Sequence, residues 1–136
     1  MQRVTNKMDK IIYSYTRKDA IDDGVLVDVT ETASEAGIIL PTALTDTVWE
    51  NCVEWDKADA DRKQIHQDMD GRLWDVLYMA YHAIRNNPTQ SVLRYKLYRV
   101  PRCGVGRKAR EITLKIMCGP GDQGEPVLTI MMTEED

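Results

Sequence analysis

The apolar residues of this chain recur with a helical period up to about residue 87 and alternate along extended segments after it. The longest helical pattern is DGRLWDVLYMAYHAIRNN, in which apolar side chains form two neighbouring rows. The rows consist of Leu73, Leu77, Ala80 and Ile84, and of Trp74, Tyr78 and Tyr81. This wide stripe predicts a central core helix from about Gly71 to Asn87 that packs on two sides. Asp70 is its predicted N-cap, and Pro88 prevents its continuation.

Two short strands and a brief helix are predicted near the start of the chain. IIYSYT, which begins at Ile11, and VLVDV, residues 25–29, are rich in β-branched residues and predict strands. Thr16 and Asp19 have the spacing of a capping box, which predicts a short helix after Thr16. Gly24 is expected to end that helix in a left-handed conformation.

Three further helices are predicted before the central one. TETASEA, residues 30–36, predicts a short helix that Gly37 ends. Thr45 is the predicted N-cap of a second core helix, whose apolar face extends to Trp55. The polar stretch that follows predicts an exposed helix over residues 57–67, because a structureless loop of that length is uncommon in a compact domain.

Three segments after the central helix alternate between apolar and polar residues, as strands with one buried face do. They are SVLRYKLYRV, REITLKIMC and VLTIMMT. Their connections, PRCGVGRKA and GPGDQGEP, are rich in Gly and Pro and short enough for hairpins, which predicts an antiparallel meander. The G-x-G-x-x-G of residues 119–124 therefore predicts a hairpin turn, since a dinucleotide-binding loop would be followed by a helix.

The predicted fold class is α+β, with N-terminal short strands and helices, a central core helix and a C-terminal three-stranded antiparallel meander packed on the helices. A length of 136 residues fits a single domain, in which residues 1–10 are a candidate flexible segment. The chain has no apolar run of membrane-spanning length and its first residues lack a secretory signal, so we expect a cytoplasmic protein without a membrane partner.

Charge divides the chain into two blocks. Residues 19–75 contain fifteen acidic and four basic residues, whereas residues 91–118 contain eight basic residues and one acidic one. The blocks either neutralise each other in the fold or face different partners. A basic patch would bind a phosphate backbone or an acidic protein, although Lys and Arg also protect exposed strands from aggregation. The patch residues are Arg94, Lys96, Arg99, Arg102, Arg107, Lys108, Arg110 and Lys115, and the acidic alternative is Asp56, Asp59, Asp61 and Asp68.

The residue types of catalytic and metal sites are present without the spacing that such sites need. Cys52, Cys103 and Cys118 fit neither a disulfide framework nor a zinc site and predict reduced thiols. His66 and His82 have no partner at an established metal-ligand spacing, and His82 is expected at the edge of the packed face of the central helix. The sequence thus predicts no metal and no cofactor, and it gives enzymatic activity no support.

Several stretches of the chain carry a family resemblance. They are IYSYTRKDAIDDGVLVDVTETASEAG, PTALTDTVWENCVEW, DGRLWDVLYMAY, YRVPR and ITLKIMCGPGDQGEPVLTIM, of which GRLWDVLYMAY and CGPGDQGEP are the most specific. They resemble an uncharacterised family of small proteins, a domain of unknown function met mainly in bacteria and often on plasmids and other mobile elements. The resemblance implies the setting of an accessory protein, because counter-defence proteins are prominent among the small proteins that such elements carry.

Together, setting and charge predict a non-enzymatic accessory protein of a mobile genetic element that binds a host or defence-system protein. A counter-defence inhibitor of the anti-CRISPR or anti-restriction type is the specific form of this hypothesis. One alternative is a nucleic-acid-binding accessory protein that uses the basic face of the meander. Another is a small-molecule binder or enzyme with a pocket between the meander and the helices.

Overall fold

The computed structural model describes residues 15–135 of the chain. Its helices are α1 (Arg17–Asp22), α2 (Thr30–Ala36), α3 (Asp46–Val48), α4 (Lys57–Lys63) and α5 (Met69–Asn86), and Trp49–Val53 form a π-helical turn. Its strands are β1 (Leu26–Asp28), β2 (Thr42–Thr45), β3 (Val92–Arg99), β4 (Arg110–Pro120) and β5 (Pro126–Met132). The strand predicted from Ile11 lies outside the described residues, except for Tyr15 and Thr16, which belong to no strand.

The strands form one mixed sheet in the order β1-β2-β5-β4-β3. β3, β4 and β5 are antiparallel neighbours, and α5 precedes them in the chain, which confirms the predicted α+β architecture. β1 pairs antiparallel with β2, and β2 pairs in parallel with β5, where Leu44 lies opposite Ile130. β2 therefore joins the N-terminal elements and the meander into one sheet.

β2 escapes prediction because its residues do not alternate between buried and exposed positions. All four residues of Thr42–Thr45 are buried, as in a strand covered on both faces. The two threonines read as polar in the sequence, yet their hydroxyls are bonded inside the fold. Thr42 donates to the carbonyl of Leu40 at 2.9 Å, and Thr45 donates to Glu135 Oε2 at 2.9 Å.

α5 packs one row of its side chains against the sheet and α2. The buried apolar residues of the helix are Leu73, Val76, Leu77 and Ala80. The hydroxyl of Tyr95 in β3 donates to the carbonyl of Val76 at 3.0 Å, which ties the helix to the sheet. The predicted central helix is confirmed, but its N-cap is Asp68, whose carboxylate accepts from the N–H of Asp70 at 3.2 Å. The predicted cap, Asp70, lies in the first turn.

The close approach of α2 to α5 depends on Gly37. This residue ends α2 as predicted, with φ at 109°. A Cβ atom built on it would lie 2.8 Å from Cε1 of Tyr81, which is closer than carbon atoms pack. Glycine is therefore required here both for the left-handed conformation and for the contact with the tyrosine ring.

In the other helices the predicted caps are present, but the predicted lengths are not. The capping box of Thr16 and Asp19 is present in α1, and Thr45 caps α3. The second core helix, however, widens after α3 into the π turn. α4 ends at Lys63 rather than near residue 67, because Gln64 adopts a left-handed conformation with φ at 57°. Within residues 15–135, no helix is long and apolar enough to span a membrane.

The face of the sheet that lies opposite α5 is partly covered, which the alternating pattern did not predict. Val127, Met131 and Lys115 are buried on this side. Arg17 of α1 reaches across it and donates from Nη1 to Thr129 Oγ1 at 2.7 Å and from Nη2 to the carbonyl of Leu128 at 2.8 Å. β3 alternates between buried and exposed residues as predicted, whereas β4 and β5 have buried residues on both faces, and Lys115 is buried rather than exposed.

Candidate functional site

The outer side of α5 carries a row of aromatic side chains that the described chain leaves uncovered. Trp74 and Tyr78 are 38% and 44% exposed, and the neighbouring Met79 is 40% exposed. The rings of Trp74 and Tyr78 are stacked, with centroids 6.1 Å apart. The rings of Tyr78 and His82 form a T-shaped pair at 4.5 Å. We call Trp74, Tyr78, Met79 and His82 the aromatic stripe.

This stripe corrects one expectation about α5. The helix packs on two sides, but its second predicted row is only partly used in that packing. Tyr81 lies against Gly37 of α2, whereas Trp74 and Tyr78 project away from the sheet and stay half exposed. Residues three and four positions apart are neighbours on a helix, so the exposed rings support one another in fixed positions. His82, half buried beside Tyr78 and Tyr81, lies at the edge of the packed face as predicted.

The residues of the predicted basic patch differ in their bonding. Five of its members, Arg94, Lys96, Arg107, Lys108 and Arg110, are exposed. Four members bond to groups of the fold, namely Arg99, Arg102, Lys115 and the exposed Arg107. The buried ammonium of Lys115 donates to the carbonyl of Glu135, and Arg99 Nε donates to Asn51 Oδ1 at 3.1 Å. Half of the predicted patch is therefore engaged in holding the structure together.

Arg102 and Asp59 form the centre of an internal charge cluster that joins the two oppositely charged blocks. Arg102 Nε donates to Asp59 Oδ2 at 2.8 Å, and its Nη2 lies 3.6 Å from Asp56 Oδ2. Arg62 Nη2 donates to Asp59 Oδ1 at 3.1 Å. Burial by itself raises the pKa of Asp59. The hydrogen bond that the backbone N–H of Asp56 donates to Asp59 Oδ2 and the two guanidinium groups outweigh this effect, and they lower the pKa to about 2. The cluster confirms that the blocks neutralise each other at this point.

Lys63 fixes the connection between β3 and β4 to α4. Its buried ammonium donates to the carbonyls of Pro101, Cys103 and Gly106, at 2.7 Å for Pro101 and 3.2 Å for Cys103. Arg107 Nε in turn donates to the carbonyl of Lys63 at 2.9 Å. We call Lys63 and its three carbonyls the lysine clip. Nothing in the sequence pattern distinguishes Lys63 from an exposed lysine, because its partners are backbone groups that lie about forty residues away.

The four acidic residues predicted as an alternative surface have structural partners. Asp56 caps α4 and Asp68 caps α5, and each accepts hydrogen bonds from the backbone of the helix that it begins. Asp61 pairs with Lys57 at 2.8 Å on the exposed side of α4. Asp59 belongs to the internal charge cluster. Each of these four acidic residues thus has a structural partner at a helix end or in an ion pair.

Arg72 is a buried cation on the inner side of α5 that the sequence did not mark. It donates from Nε to the carbonyl of Val53 and from Nη1 to that of Val100, both at 3.0 Å, and its guanidinium lies 4.9 Å from the ring centroid of Trp55. Burial lowers the pKa of Arg72. Its Nη2 and the Nε1 of Trp55 have no hydrogen-bond partner among the described residues. Arg72 therefore ties α5 to the π turn and to the end of β3.

An apolar cavity of about 450 Å³ lies at the other end of α5, between that helix, the segment after α2 and the inner face of the sheet. Leu93, Ile116 and Leu128 form part of its wall. Arg85 is the charged residue that lines it, and no ion-pair partner of Arg85 occurs within residues 15–135. The cavity lies between the meander and the helices, where the small-molecule alternative places a pocket.

The three cysteines of the chain differ in burial. Cys52 is buried, Cys103 is exposed and Cys118 is half buried, and all three are free. Burial raises the pKa of the Cys52 thiol. In the described part of the chain, no three His, Cys, Asp or Glu side chains are placed to hold a metal ion.

Comparison with known proteins identifies a family for the chain. No curated protein and no solved structure matches it. A family model described as a family of unknown function, DUF6573, matches residues 4–136. That range contains every stretch on which the family resemblance of the sequence rests. The chain therefore belongs to DUF6573, a family of unknown function.

Proposed function

We propose that this protein is a non-enzymatic accessory protein that binds another protein through the aromatic stripe of α5. The stacked and half-exposed Trp74 and Tyr78 carry the proposal. Trp and Tyr dominate binding energy at many protein interfaces, because they bury a large area and lose little side-chain entropy. Here they project from an 18-residue helix whose opposite side is part of the core, so a partner does not have to order them.

The distribution of charge supports a role for this face rather than for the charged blocks. The internal charge cluster contains Asp56, Asp59 and Arg102, three of the charged residues that the sequence suggested as binding surfaces. The exposed cations Arg94 and Lys96 lie on β3, on the side of the sheet away from α5. Their long-range attraction would speed the association with an acidic partner more than it would stabilise the complex.

We extend the proposal to the setting that the family resemblance implies. A small accessory protein of a bacterial plasmid or other mobile element meets host defence systems in the cytoplasm. Defence nucleases and their assemblies are proteins whose surfaces include many charged and nucleic-acid-binding regions. We therefore propose a counter-defence role of the anti-restriction or anti-CRISPR type, in which the aromatic stripe supplies the affinity.

Site-specific photo-crosslinking tests the binding function. Tyr78 is replaced by p-benzoylphenylalanine in the full chain, and the same replacement of Val105, which is 95% exposed on the β3–β4 connection, is the control. We expect a bacterial protein, identified by mass spectrometry, to crosslink from position 78 and not from position 105. In the purified complex, Trp74→Ala should weaken binding by about 30-fold, which corresponds to a hot-spot residue.

Two results would contradict this function. One is the absence of any product specific to position 78, and the other is a purified complex whose affinity Trp74→Ala leaves unchanged. A salt-sensitive gel shift of DNA or RNA that is lost on Arg94→Glu with Lys96→Glu, without a stripe-specific crosslink, would instead favour the nucleic-acid-binding alternative.

The apolar cavity favours small-molecule binding as a second candidate function. A volume of about 450 Å³ is within the range of ligand sites. The mostly apolar wall and Arg85, which has no ion-pair partner among residues 15–135, fit an apolar molecule with an anionic group. Native mass spectrometry of the purified protein should then show a retained ligand. Ser91→Trp, which places an indole at the exposed rim, should reduce its occupancy, and Val105→Trp should leave it unchanged. A ligand-free native protein that also fails to bind 1-anilinonaphthalene-8-sulfonate would exclude this function.

A further inference from the structure

Among residues 15–135, β3 has no strand on its outer side, and the outward direction of its backbone groups follows from one hydrogen bond. The amide of Cys118 donates to the carbonyl of Ser91 at 2.8 Å, immediately before the pair of Val92 and Met117. Hydrogen-bonded pairs alternate along an antiparallel ladder, so the odd-numbered residues of β3 bond to β4. The even-numbered residues turn their N–H and C=O groups outward. They are Val92, Arg94, Lys96 and Tyr98, and no backbone partner on that side occurs within residues 15–135.

The side of this edge that lies away from α5 is basic. Arg94 and Lys96 are exposed there on the same residues whose backbone groups point outward. Glu111 on β4 is the neighbouring carboxylate, and its Oε1 lies 3.9 Å from Lys96 Nζ in an exposed contact. An exposed pair at this distance contributes little, so Lys96 is available to an incoming carboxylate.

The side of the edge that faces α5 has a different chemistry. A cavity of about 220 Å³ is lined there by Leu97, Tyr98 and Asp75, among others. Burial raises the pKa of Asp75, whereas the nearby Arg72 lowers it. Met79 of the aromatic stripe follows Asp75 by one helical turn, on the same side of α5. Arg72 and Arg99 also line this cavity, but their guanidinium groups already donate to the carbonyls of Val53 and Val100 and to Asn51 Oδ1. The carboxylate of Asp75 beside Leu97 therefore disfavours acidic side chains on this side and favours apolar ones.

We propose that β3 accepts an extended segment of the bound protein as an additional strand, and that this segment alternates acidic and apolar residues. The inference rests on the proposed protein-binding function and adds a second contact of the same partner, at the sheet edge beside α5. Opposed side chains on neighbouring strands lie on the same face of a sheet. Partner residues opposite Arg94 and Lys96 therefore meet cations, and the residues between them meet the flank of α5 near Met79. Main-chain hydrogen bonds supply affinity in this mode, and the alternating side chains supply specificity.

A second copy of the same strand fits this edge poorly. Two β3 strands paired along their free edges would place Arg94 and Lys96 of both copies on one face, and like charges opposite each other are destabilising. The same two residues thus protect the edge from self-association while they leave it open to an acidic strand. The opposite edge of the sheet, β1, has only three residues and offers a much shorter ladder.

A charge-swap experiment with synthetic strands tests the proposal. The probes are acetylated and amidated eight-residue peptides that alternate valine with glutamate or valine with lysine, and backbone NMR of the full chain reports their binding. We expect the glutamate peptide to shift the amides of Arg94 and Lys96 and to slow their hydrogen exchange. Arg94→Glu with Lys96→Glu should weaken this peptide by at least about tenfold and should transfer the preference to the lysine peptide. Two further probes carry N-methyl groups on all valines or on all glutamates. Only one of them should lose binding, because alternate residues direct their N–H groups to opposite edges of a strand and only one edge pairs with β3.

A matched pair of substitutions separates location from net charge. Lys108→Glu with Arg110→Glu makes the same charge change at exposed positions of the β3–β4 connection and the start of β4, and it should weaken the glutamate peptide less than threefold. Equal effects of the two double variants, or binding without protection of the β3 amides, would overturn the proposal. If Tyr78 crosslinks a partner whose affinity Arg94→Glu with Lys96→Glu leaves unchanged, strand addition is wrong while the protein-binding function stands. Absence of any stripe-specific crosslink removes the proposed function itself.

Discussion

The region around α4 and the outer side of α5 treat their conspicuous side chains in opposite ways. Around α4, charged groups that look like a binding surface in the sequence are bonded to one another or to backbone carbonyls, as Asp59, Arg102 and Arg107 show. On α5, Trp74 and Tyr78 look like core residues in the sequence, yet they are stacked at the surface. In this protein the candidate binding face is therefore identified by side chains that lack partners within the described fold, and not by residue type.

The largest expected effect is on the α4 side of this comparison. Lys63→Met removes the ammonium of the lysine clip and leaves three carbonyls without their donor. We expect the free energy of unfolding to fall by about 3 kcal/mol. Urea denaturation measures it, with Lys57→Met as the control, because Lys57 makes an exposed ion pair whose loss costs about 0.5 kcal/mol or less. Equal losses in the free energy of unfolding for both substitutions would show that the lysine clip does not stabilise the fold.

Arg102→Ala tests the internal charge cluster and should have the next largest effect. It leaves the buried carboxylate of Asp59 without its shortest ionic contact, which we expect to cost about 2 kcal/mol of stability. In the Asp59→Asn background the same substitution should cost much less, since the uncompensated charge is gone. Urea denaturation of the four proteins gives the coupling energy between the residues. A coupling near zero would mean that the two charged blocks do not stabilise each other here.

Acid titration measures the same cluster without changing Arg102. The pKa of Asp59 is about 2 in the folded protein, below its ordinary value of 3.8, so the ionised carboxylate stabilises the fold above about pH 4. This contribution is lost as the pH falls towards 2. The melting temperature of the native protein should exceed that of Asp59→Asn at pH 5, and the two should converge near pH 2. A difference that does not change with pH would contradict this assignment.

A smaller effect is expected at the edge of β3. Glu111→Gln removes the carboxylate that lies 3.9 Å from Lys96 and should strengthen binding of the valine–glutamate peptide about twofold to fivefold, with little change in stability. NMR titration at low salt measures the dissociation constant. Because Glu111 also accepts a hydrogen bond from Tyr98 at 3.2 Å, Tyr98→Phe is the control for loss of that bond alone. Weaker binding in Glu111→Gln would contradict the electrostatic account of the edge.

Local patterns predict much of the fold, whereas tertiary partners decide the site. Some signals depend only on residues that are close in the chain, and these predict the observed elements. They are the helical period of α5, the capping box of Thr16 and Asp19, and the alternation of apolar and polar residues in β3, β4 and β5. β2 is hidden because its threonines bond inside the fold. The internal role of Lys63 and the burial of Lys115 depend on carbonyls that are twenty or more residues away. The exposure of Trp74 and Tyr78 likewise depends on which elements reach the outer side of α5.

The central claim is that the aromatic stripe serves binding and not folding. Trp74→Ala with Tyr78→Ala removes both half-exposed rings, and its effect is measured on two quantities in the same preparation. Urea denaturation should show a loss of about 2 to 3 kcal/mol, because Trp74 and Tyr78 are 38% and 44% exposed and only the buried remainder of each ring contributes to folding. Isothermal titration of the partner identified by crosslinking at position 78 should show affinity reduced by 100-fold or more, corresponding to about 3 kcal/mol. A larger loss of stability with unchanged affinity would contradict the claim and would make the stripe part of the core.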